Sequence, residues 1–346
     1  MNRNELKTLC GLCGTSGREH AVRDYILSEL SKCSLPEGAV KVDRLGNVLV
    51  HKKGASAAKR KVLCSAHMDE VALMVTYIYE DGALAFDMVG GINAAAVIGR
   101  QVQVGRDRIN GVIGCKPVHL LSKDERAKPA DMHSLYCDIG TGSRAETEQL
   151  VRPGDIIYFC DDTIDFGGDS LRAKAIDDRF GCLVLLDMIR SDLPYDTDFS
   201  FVVQEEVGLR GSGVAAAQMD PEIAVIFEAT TAADIAGSVG SDRCCELGRG
   251  AVISFADGRT IYDKALYDLA VSICEQNGIG WQTKTRIAGG NDAGAIQSAG
   301  HGARVLAVSV PCRYLHAPCS VIRYADAECC EKLASALISA LQEAPL

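Results

Sequence analysis

Short apolar runs alternate with segments of helical periodicity along most of the chain, and this alternation limits the fold more than any other feature. The runs "KVLCSAHMD", "DFSFVVQEE", "EIAVIFEAT" and "ARVLAVSVP" are almost continuously apolar before their polar ends. Such runs are typical of strands that are buried on both faces of a sheet. The sequence therefore predicts an α/β fold, with an open mixed sheet that carries helices on both faces.

Residues 72–168 follow a different pattern. Short β-like runs in this segment are interrupted by Gly, Pro-Gly and Asp-Gly turns, with little helical periodicity. We predict a small β-rich, barrel-like domain (72–168) that is inserted into an α/β domain formed by residues 1–71 and 169–346. A continuous sheet with long hairpins is the alternative for this segment. Two domains agree with the length of 346 residues, because a single hydrophobic core is usually limited to shorter chains.

Charge and hydropathy narrow the class of protein. The formal net charge of -10 argues against nucleic acid or an anionic membrane as the main partner. No segment approaches the roughly 20 apolar residues of a membrane span, and the amino terminus lacks the apolar core of a signal peptide. We therefore expect a soluble, cytoplasmic protein.

The 15 cysteines are scattered and odd in number, so reduced and mostly buried thiols are expected. Cys10 and Cys13 form a CxxC pattern, which can be redox-active or bind metal. There is no second pair, and the surrounding residues have helical spacing. We therefore predict that this pattern is one turn of an amino-terminal helix.

Polar residues that suit metal chemistry follow the predicted strands or open a predicted helix. In open α/β sheets, ligands bind at the carboxyl ends of strands, so we expect these residues to converge. Imidazole together with carboxylate suits Zn²⁺ or Co²⁺, and an oxygen-rich set can hold two such ions. The residues are His67, Asp69, Asp177, Asp178, Glu205, Glu206, Glu228 and His316.

Each residue also has an explanation without metal. Asp177 can cap its helix, and Asp178 can favour the helix dipole. Glu228 can be a solvated strand end, and His67 an ordinary loop histidine. Together, however, two imidazoles and at least three carboxylates at the ends of buried elements are hard to explain by solvation. In the HxD pattern, Asp69 can also orient the imidazole of His67.

The same segments carry a resemblance to a known family. "SAHMDEVALMV", "AKAIDDRFG", "VVQEEVGLRGSG", "IFEATTAADIAG" and "GGNDAGAIQSAG", followed by "VPCRYLHAP", resemble the metal-dependent tetrahedral (TET) aminopeptidases in order and spacing. The likeness extends from "GTSGREH" near the amino terminus to the last helix. Members of this family are named glutamyl or deblocking aminopeptidases, and sometimes cellulases. The resemblance implies a zinc-exopeptidase-like fold and removal of amino-terminal residues from peptides.

The resemblance also implies which residues bind metal. Two divalent ions, Zn²⁺ or Co²⁺, would be held in each chain, with Asp177 bridging them. His67 and Glu228 would complete the ligands of one ion, and Glu206 and His316 those of the other.

Catalytic roles follow from the same resemblance. Glu205 would be the general base, and Asp69 would orient a metal-binding histidine. Asp292 and Asp234 are candidates to receive the free amino group of the substrate, although both can equally be turn residues.

Two positions depart from the family's usual pattern. Glu228 stands where Asp is usual, and Asn291 where Thr is usual. The longer Glu228 side chain is expected to alter metal selectivity while activity is retained. The resemblance further implies a homo-oligomer, a dodecameric tetrahedron that encloses its active sites and is joined partly by the inserted domain. Only peptides able to enter would then be substrates.

Other functions remain open at this point. A carbohydrate hydrolase on the same scaffold is suggested by the cellulase names, although glycosidases typically use two metal-free carboxylates about 5 to 10 Å apart. A non-catalytic binding protein would be expected to have lost the base or a ligand, and every such position is filled here. A serine hydrolase is disfavoured because the sequence has no GxSxG motif. The preferred amino-terminal residue does not follow from net charge.

Overall fold

The structure, a computed structural model, describes residues 1–160 and 163–345. Asp161 and Asp162, which end one of the predicted β-like runs, lie outside the described residues. The strands are β1 (Val40–Val42), β2 (Val48–Lys52), β3 (Val62–His67), β4 (Ala72–Ile78), β5 (Leu84–Val89), β6 (Gln101–Val104), β7 (Ile109–Gly114), β8 (Tyr136–Asp138), β9 (Ile156–Phe159), β10 (Ile164–Phe166), β11 (Ser170–Ala173), β12 (Thr197–Val202), β13 (Ile223–Thr231), β14 (Ala251–Ile253), β15 (Trp281–Thr283), β16 (Arg304–Cys312) and β17 (Ser320–Arg323).

The α-helices of the same residues are α1 (Arg3–Gly11), α2 (His20–Leu30), α3 (Ala94–Val97), α4 (Lys123–Arg126), α5 (Arg144–Thr147), α6 (Ile176–Arg190), α7 (Arg210–Met219), α8 (Lys264–Asn277), α9 (Ala293–Ile296) and α10 (Tyr324–Glu343). Short 3₁₀ helices cover Val118–Leu120, Met132–Ser134 and Gly240–Arg243. Within the described part of the chain, no helix is both long and apolar enough to cross a membrane.

Eight strands form one sheet in the order β1-β2-β12-β3-β13-β16-β14-β15. Its centre, β12-β3-β13-β16, is parallel, whereas β2 and β14 run antiparallel to β12 and β16. The predicted mixed sheet is therefore confirmed. Because the four central strands are parallel, their carboxyl ends lie at one edge of the sheet.

Both faces of this sheet are covered by helices. Val225 and Phe227 of β13 pack in the main core with side chains of α1, α2, α6, α8 and α10. The intervening Ala224 and Ile226 pack with Ala216 of α7 and with α9. Successive side chains of a strand point to opposite faces, so burial of both sets explains the nearly continuous apolar run.

A closed barrel of six strands lies between Ala72 and Phe159, in the order β4-β5-β8-β7-β6-β9. It has its own core, which includes Leu73, Phe86 and Ile157. The β-rich, barrel-like character predicted for this segment is confirmed. β10, although inside the predicted insert, pairs with β11, which in turn pairs with β17 outside the barrel. The division at 72–168 stays a prediction.

The amino-terminal helix ends earlier than predicted. α1 stops at Gly11, so Cys10 is a buried helix residue but Cys13 lies in the loop that follows. The prediction of a helical CxxC is therefore wrong at Cys13. The helix cannot continue because Gly14 pairs with Glu70: the amide of Glu70 donates to the Gly14 carbonyl at 3.0 Å, and the Gly14 amide donates to Oε1 of Glu70 at 2.9 Å. All fifteen cysteines lie in the described part of the chain, and none of them forms a disulfide.

Candidate active site and metal centre

The carboxyl ends of the central strands bring the candidate ligands together. His67 is the last residue of β3, and Glu205 and Glu206 lie in the turn after β12. His316 lies in the loop after β16 and has a left-handed backbone, with φ of 56°. Non-glycine residues rarely adopt this conformation, and strained residues of this kind cluster at functional sites.

Glu228 lies inside a strand and not at its end, which corrects the sequence interpretation. β13 continues to Thr231, because Glu228 and the residues after it stay paired with β16 from Ser309 onward. The pairing of β13 with β3 stops earlier, at Ile226. The carboxylate of Glu228 lies beside the end of β3, with Oε1 3.5 Å from Nε2 of His67.

Asp177 lies between the two histidines. Its Oδ1 is 3.0 Å from Nε2 of His67, and its Oδ2 is 3.4 Å from Nε2 of His316. Nε2 of His316 is also 3.3 Å from Oε2 of Glu206. One Asp177 oxygen therefore faces each imidazole, an arrangement that suits a carboxylate shared by two ions.

The adjacent Asp178 makes different contacts. It is fully buried, and Oδ1 accepts the Gly181 amide at 2.8 Å while Oδ2 accepts the His67 amide at 3.2 Å. Asp177 and Asp178 have non-helical backbone angles, so the regular part of α6 begins after them and Asp178 caps it. Asp178 could also join a ligand group with His67 and Glu228. We favour Asp177 as the ligand because both Asp178 oxygens already accept backbone hydrogen bonds.

Asp69 connects the histidine to the pair of glutamates. Its Oδ1 accepts the Glu205 amide at 2.9 Å, and Oδ2 accepts the Glu206 amide at 3.1 Å and the Ser16 hydroxyl at 2.6 Å. Nδ1 of His67 lies 3.1 Å from the main-chain oxygen of Asp69 and 3.4 Å from Oδ1. The contact needed to orient His67 is therefore present. Sequence reasoning did not predict that Asp69 accepts hydrogen bonds from the backbone amides of both glutamates. It also did not predict the hydrogen bond from Ser16, which lies in the segment "GTSGREH".

The site contains more negative than positive charge. Burial raises the pKa of Glu206 to about 8 and raises the pKa values of Glu205 and Glu228 well above their usual range. Burial alone would lower the pKa of His316, but its contacts with Asp177 and Glu206 raise it to about 9. Buried carboxylates require compensating charge, which two imidazoles supply only in part. Divalent cations would supply the remainder, so the donor set fits a metal centre.

The two aspartates considered for substrate binding have different surroundings. Asp234 forms a two-point ion pair with Arg313, with both N–O distances at 2.7 Å. We do not retain it as an amine receiver, because its charge is already compensated. Asp292 is 1% exposed, and its charge contributes to the raised pKa of Glu205. Burial raises the pKa of Asp292 itself to about 6, despite the nearby Ser212 hydroxyl.

A buried arginine, which sequence reasoning did not single out, forms hydrogen bonds with the segments next to the site. Arg179 is 0% exposed, and Nη1 donates to the carbonyls of Leu9 and Leu12 at 2.7 and 3.1 Å. Nε donates to the Met68 carbonyl at 3.0 Å, and Nη2 lies 3.5 Å from Glu70. Arg179 thereby ties the amino-terminal segment to the loop after β3. Its only sequence signal is its place in "AIDDRFG".

Replacing Arg179 by methionine is expected to lower the free energy of unfolding by about 3 to 5 kcal/mol, because buried carbonyls and Glu70 lose their partner. Denaturant unfolding of the metal-free protein measures this. The control is Arg243→Met: Arg243 is 44% exposed and pairs with Glu246 at 3.2 Å, so a loss below about 1 kcal/mol is expected. Equal losses in the two variants would contradict the role given to Arg179.

The site opens into a cavity of about 470 Å³, a size suited to a small ligand. Four of the candidate ligands and Glu205 form one part of its lining: His67, Asp177, Glu228, His316 and Glu205. Other residues of the lining are Thr230, Asp242, Cys244, Asp257, Tyr262, Lys284, Arg286 and Asn291. A substrate in this cavity would therefore contact the carboxylate cluster and a second, mixed-charge wall.

Known proteins share this fold. The family model for the M42 glutamyl aminopeptidases matches residues 46–333. The lysyl aminopeptidase of Pyrococcus furiosus is 31% identical over 340 residues, which cover 95% of this chain and 94% of that protein. The Pyrococcus horikoshii TET1 peptidase, which can assemble into a tetrahedron or a large octahedral shell, is 34% identical with a TM-score of 0.83, covering 97% of this chain and 98% of that one. An endoglucanase structure from Thermotoga maritima is 33% identical with a TM-score of 0.78, covering 96% of both chains.

The fold and the relatives together identify this protein as an aminopeptidase, which is a peptide-bond hydrolase. The resemblance to TET aminopeptidases carried by the motifs is confirmed. The chain belongs to the M42 glutamyl aminopeptidase family, whose members are metallopeptidases.

Proposed function

We propose that this protein removes amino-terminal residues from peptides with the help of two divalent metal ions, Zn²⁺ or Co²⁺, in each chain. The observation that carries the proposal is the position of Asp177, with one carboxylate oxygen beside each imidazole. His67 and Glu228 would complete the ligands of one ion, and Glu206 and His316 those of the other.

When bound, the two ions would supply Lewis-acid chemistry, which makes water more acidic and polarises a peptide carbonyl. Glu205 is the proposed general base, since it lines the same cavity and burial raises its pKa. It accepts a proton from water and delivers it to the leaving amine. Asp69 positions this residue through the hydrogen bond from the Glu205 amide. Asp292, buried near Glu205, is the retained candidate for receiving the substrate's amino group.

The test is hydrolysis of aminoacyl-p-nitroanilides by chelator-stripped protein, with and without added Zn²⁺, Co²⁺ or Mn²⁺. We expect activity to disappear on stripping and to return with metal. Because Glu228 replaces the usual Asp, the three ions are expected to differ in affinity and activation. Equal affinity and equal activation for all three ions would contradict the expected metal selectivity. Metal binding without turnover of any aminoacyl substrate would overturn the aminopeptidase proposal.

The similarity to an endoglucanase favours a second candidate, hydrolysis of a β-glucan. Glycosidase catalysis typically needs two metal-free carboxylates that flank the scissile bond. Here the carboxylates converge with two histidines, which favours the metallopeptidase. Hydrolysis of β-glucan that survives chelation would support the second candidate.

We also propose a homo-oligomer, a dodecameric tetrahedron that the 72–168 segment helps to join. The assembly of the similar TET1 peptidase supports this. Light scattering of the metal-loaded protein is expected to show a species of twelve chains. A monomer would rule the assembly out, and a much larger species would favour an octahedral shell instead.

A further inference from the structure

Two adjacent cysteines, Cys244 and Cys245, lie at the wall of the active-site cavity, and the proposed mechanism uses neither of them. Cys244 lines the same cavity as Glu205, and both cysteines are largely buried. The Cys244 carbonyl accepts hydrogen bonds from the Thr285 amide at 2.9 Å and from the Thr285 hydroxyl at 3.0 Å, which fixes this cysteine next to the loop after β15. The cavity therefore contains a sulfur nucleophile in addition to the carboxylate cluster.

The sulfur of Cys244 has partners that favour its ionised form. The Cys245 thiol and the backbone amide of Arg286 donate hydrogen bonds to it, and the charge of Lys284 acts in the same direction. Cys245 has one S–H hydrogen and a second acceptor, the Thr231 carbonyl at 3.2 Å. Hydrogen bonds to an ionised group are roughly twice as strong as neutral ones, so a Cys244 thiolate is the better acceptor of the two.

These contacts outweigh the effect of burial at Cys244. Its pKa is lowered to about 6, first by the hydrogen bond from Cys245 and then, against the effect of burial, by Lys284 and Arg286. At Cys10, by contrast, burial raises the pKa to about 12. Cys244 is therefore mostly a thiolate at neutral pH, and the thiolate is the form of cysteine that reacts.

The two cations act on Cys244 locally, because the charge of the cavity wall as a whole is balanced. Arg286 pairs with Asp242, with Nη1 and Oδ1 2.5 Å apart, and Lys284 is offset by Asp257 in the same lining. Lys284 acts on the Cys244 thiolate more strongly than the charge of Arg286 does. This agrees with the direct ion pair that Arg286 already forms.

The two cysteines are not suited to forming a disulfide with each other. Adjacent Cα atoms lie about 3.8 Å apart across a trans peptide, below the usual disulfide range of about 4.4 to 6.8 Å. The pKa of Cys245 is raised, first by its hydrogen bond with Cys244, then by burial, and to a smaller extent by the charge of Asp234. Cys245 therefore stays protonated as the hydrogen-bond donor, and a reaction partner for Cys244 must come from outside the pair.

We propose that Cys244 is a covalent modification site, at which a low-molecular-weight disulfide forms a mixed disulfide and thereby inhibits the peptidase. The Cys244 sulfur attacks one sulfur of the small disulfide; a new S–S bond forms, the old one breaks, and the second half leaves as a thiolate. Cys244 is oxidised and the leaving half is reduced, so no other oxidant is needed. The adduct would occupy part of the cavity of about 470 Å³ that a substrate enters. The modification is independent of the proposed function, whereas the inhibition rests on it.

The probe is 2-hydroxyethyl disulfide, which is small and uncharged, added to the metal-loaded protein. Peptide mapping by mass spectrometry follows the adduct at each cysteine, and hydrolysis of the best p-nitroanilide follows activity. We expect activity to fall in step with the adduct at Cys244 and to return with excess 2-mercaptoethanol, because thiol-disulfide exchange is reversible. Cys244→Ser is expected to keep its activity in the presence of the probe. Cys160→Ser is the control, because Cys160 is exposed and directly follows β9 of the barrel, so this variant should be inhibited like the wild-type protein.

The pH dependence of the modification rate tests the surroundings of Cys244. A thiol with the usual pKa of about 8.5 reacts about tenfold more slowly at pH 6 than at pH 7, because its thiolate fraction falls about tenfold. With a pKa of about 6, Cys244 is expected to slow only about twofold over this range. In Lys284→Met the decrease is expected to be steeper, since a cation that stabilises the thiolate is removed. An equal decrease in Lys284→Met and wild type would overturn the role given to Lys284.

The outcomes separate this inference from the proposed function. The inference is overturned if Cys160 acquires the adduct but Cys244 does not, if the adduct at Cys244 leaves activity unchanged, or if inhibition persists in Cys244→Ser. A protein that cleaves no aminoacyl substrate would overturn the proposed function and the inhibition, while the peptide map would still decide whether Cys244 is modified. The wild-type peptide map also stands if a variant does not fold.

Discussion

Replacing Glu205 by glutamine is expected to lower kcat about 10²- to 10⁴-fold, the usual contribution of a general acid-base group. Glutamine keeps the size of the side chain, but it cannot accept a proton from water. Glu205 is only 9% exposed and is not one of the proposed ligands, so the metal content of the variant should equal that of the wild-type protein, for which we propose two ions per chain. The measurements are kcat with the best p-nitroanilide and elemental analysis of the purified variant.

Glu206→Gln is the matched control. The two glutamates are adjacent, both are largely buried, and the backbone amide of each donates a hydrogen bond to the Asp69 carboxylate. Only Glu206 contacts His316, so Glu206→Gln is expected to lose metal as well as activity. Loss of metal in Glu205→Gln together with full metal content in Glu206→Gln would reverse the two assignments.

Replacing Asp177 by asparagine is expected to weaken both of the proposed metal sites, because this carboxylate lies between the two histidines. Loss of a residue that merely supports a ligand commonly costs about 10- to 100-fold in metal affinity or activity, and loss of a shared ligand should cost more. Bound metal stabilises the folded state by about 2.7 kcal/mol when its concentration is 100 times Kd, so part of this stabilisation should also be lost. Metal titration and thermal unfolding with and without Zn²⁺ measure both effects.

Asp178→Asn separates the two adjacent aspartates. Asp178 accepts the backbone amides of His67 and Gly181, so its replacement is expected to lower stability but to preserve the metal stoichiometry. If Asp178→Asn loses metal while Asp177→Asn keeps both ions, then Asp178 is the ligand and the proposed bridge is wrong.

The strands and most residues of the candidate site could be predicted from local pattern. A strand buried on both faces must be almost continuously apolar, so a carboxylate or imidazole at its end is conspicuous in the sequence. This logic brought out His67, Glu205 and Glu206. It misjudged Glu228, because the length of β13 depends on its partner β16 and not on its own residues.

Other features depend on partners that are distant in the chain. The early end of α1 follows from pairing of Gly14 with Glu70, which places Cys13 in a loop. Asp234 and Arg313 are 79 residues apart, and only the fold shows that they neutralise each other. No local pattern indicates such pairs.

The sequence by itself determined the class of fold, the barrel-like segment and the residue types suited to two metal ions, because burial and periodicity are local properties of a strand or helix. Only the tertiary structure determined which of these side chains lie next to each other. It set one Asp177 oxygen beside each histidine, made Asp69 the support of both glutamates, and placed Lys284 in the wall of the cavity. These roles depend on distances between residues that meet only when the strand ends converge.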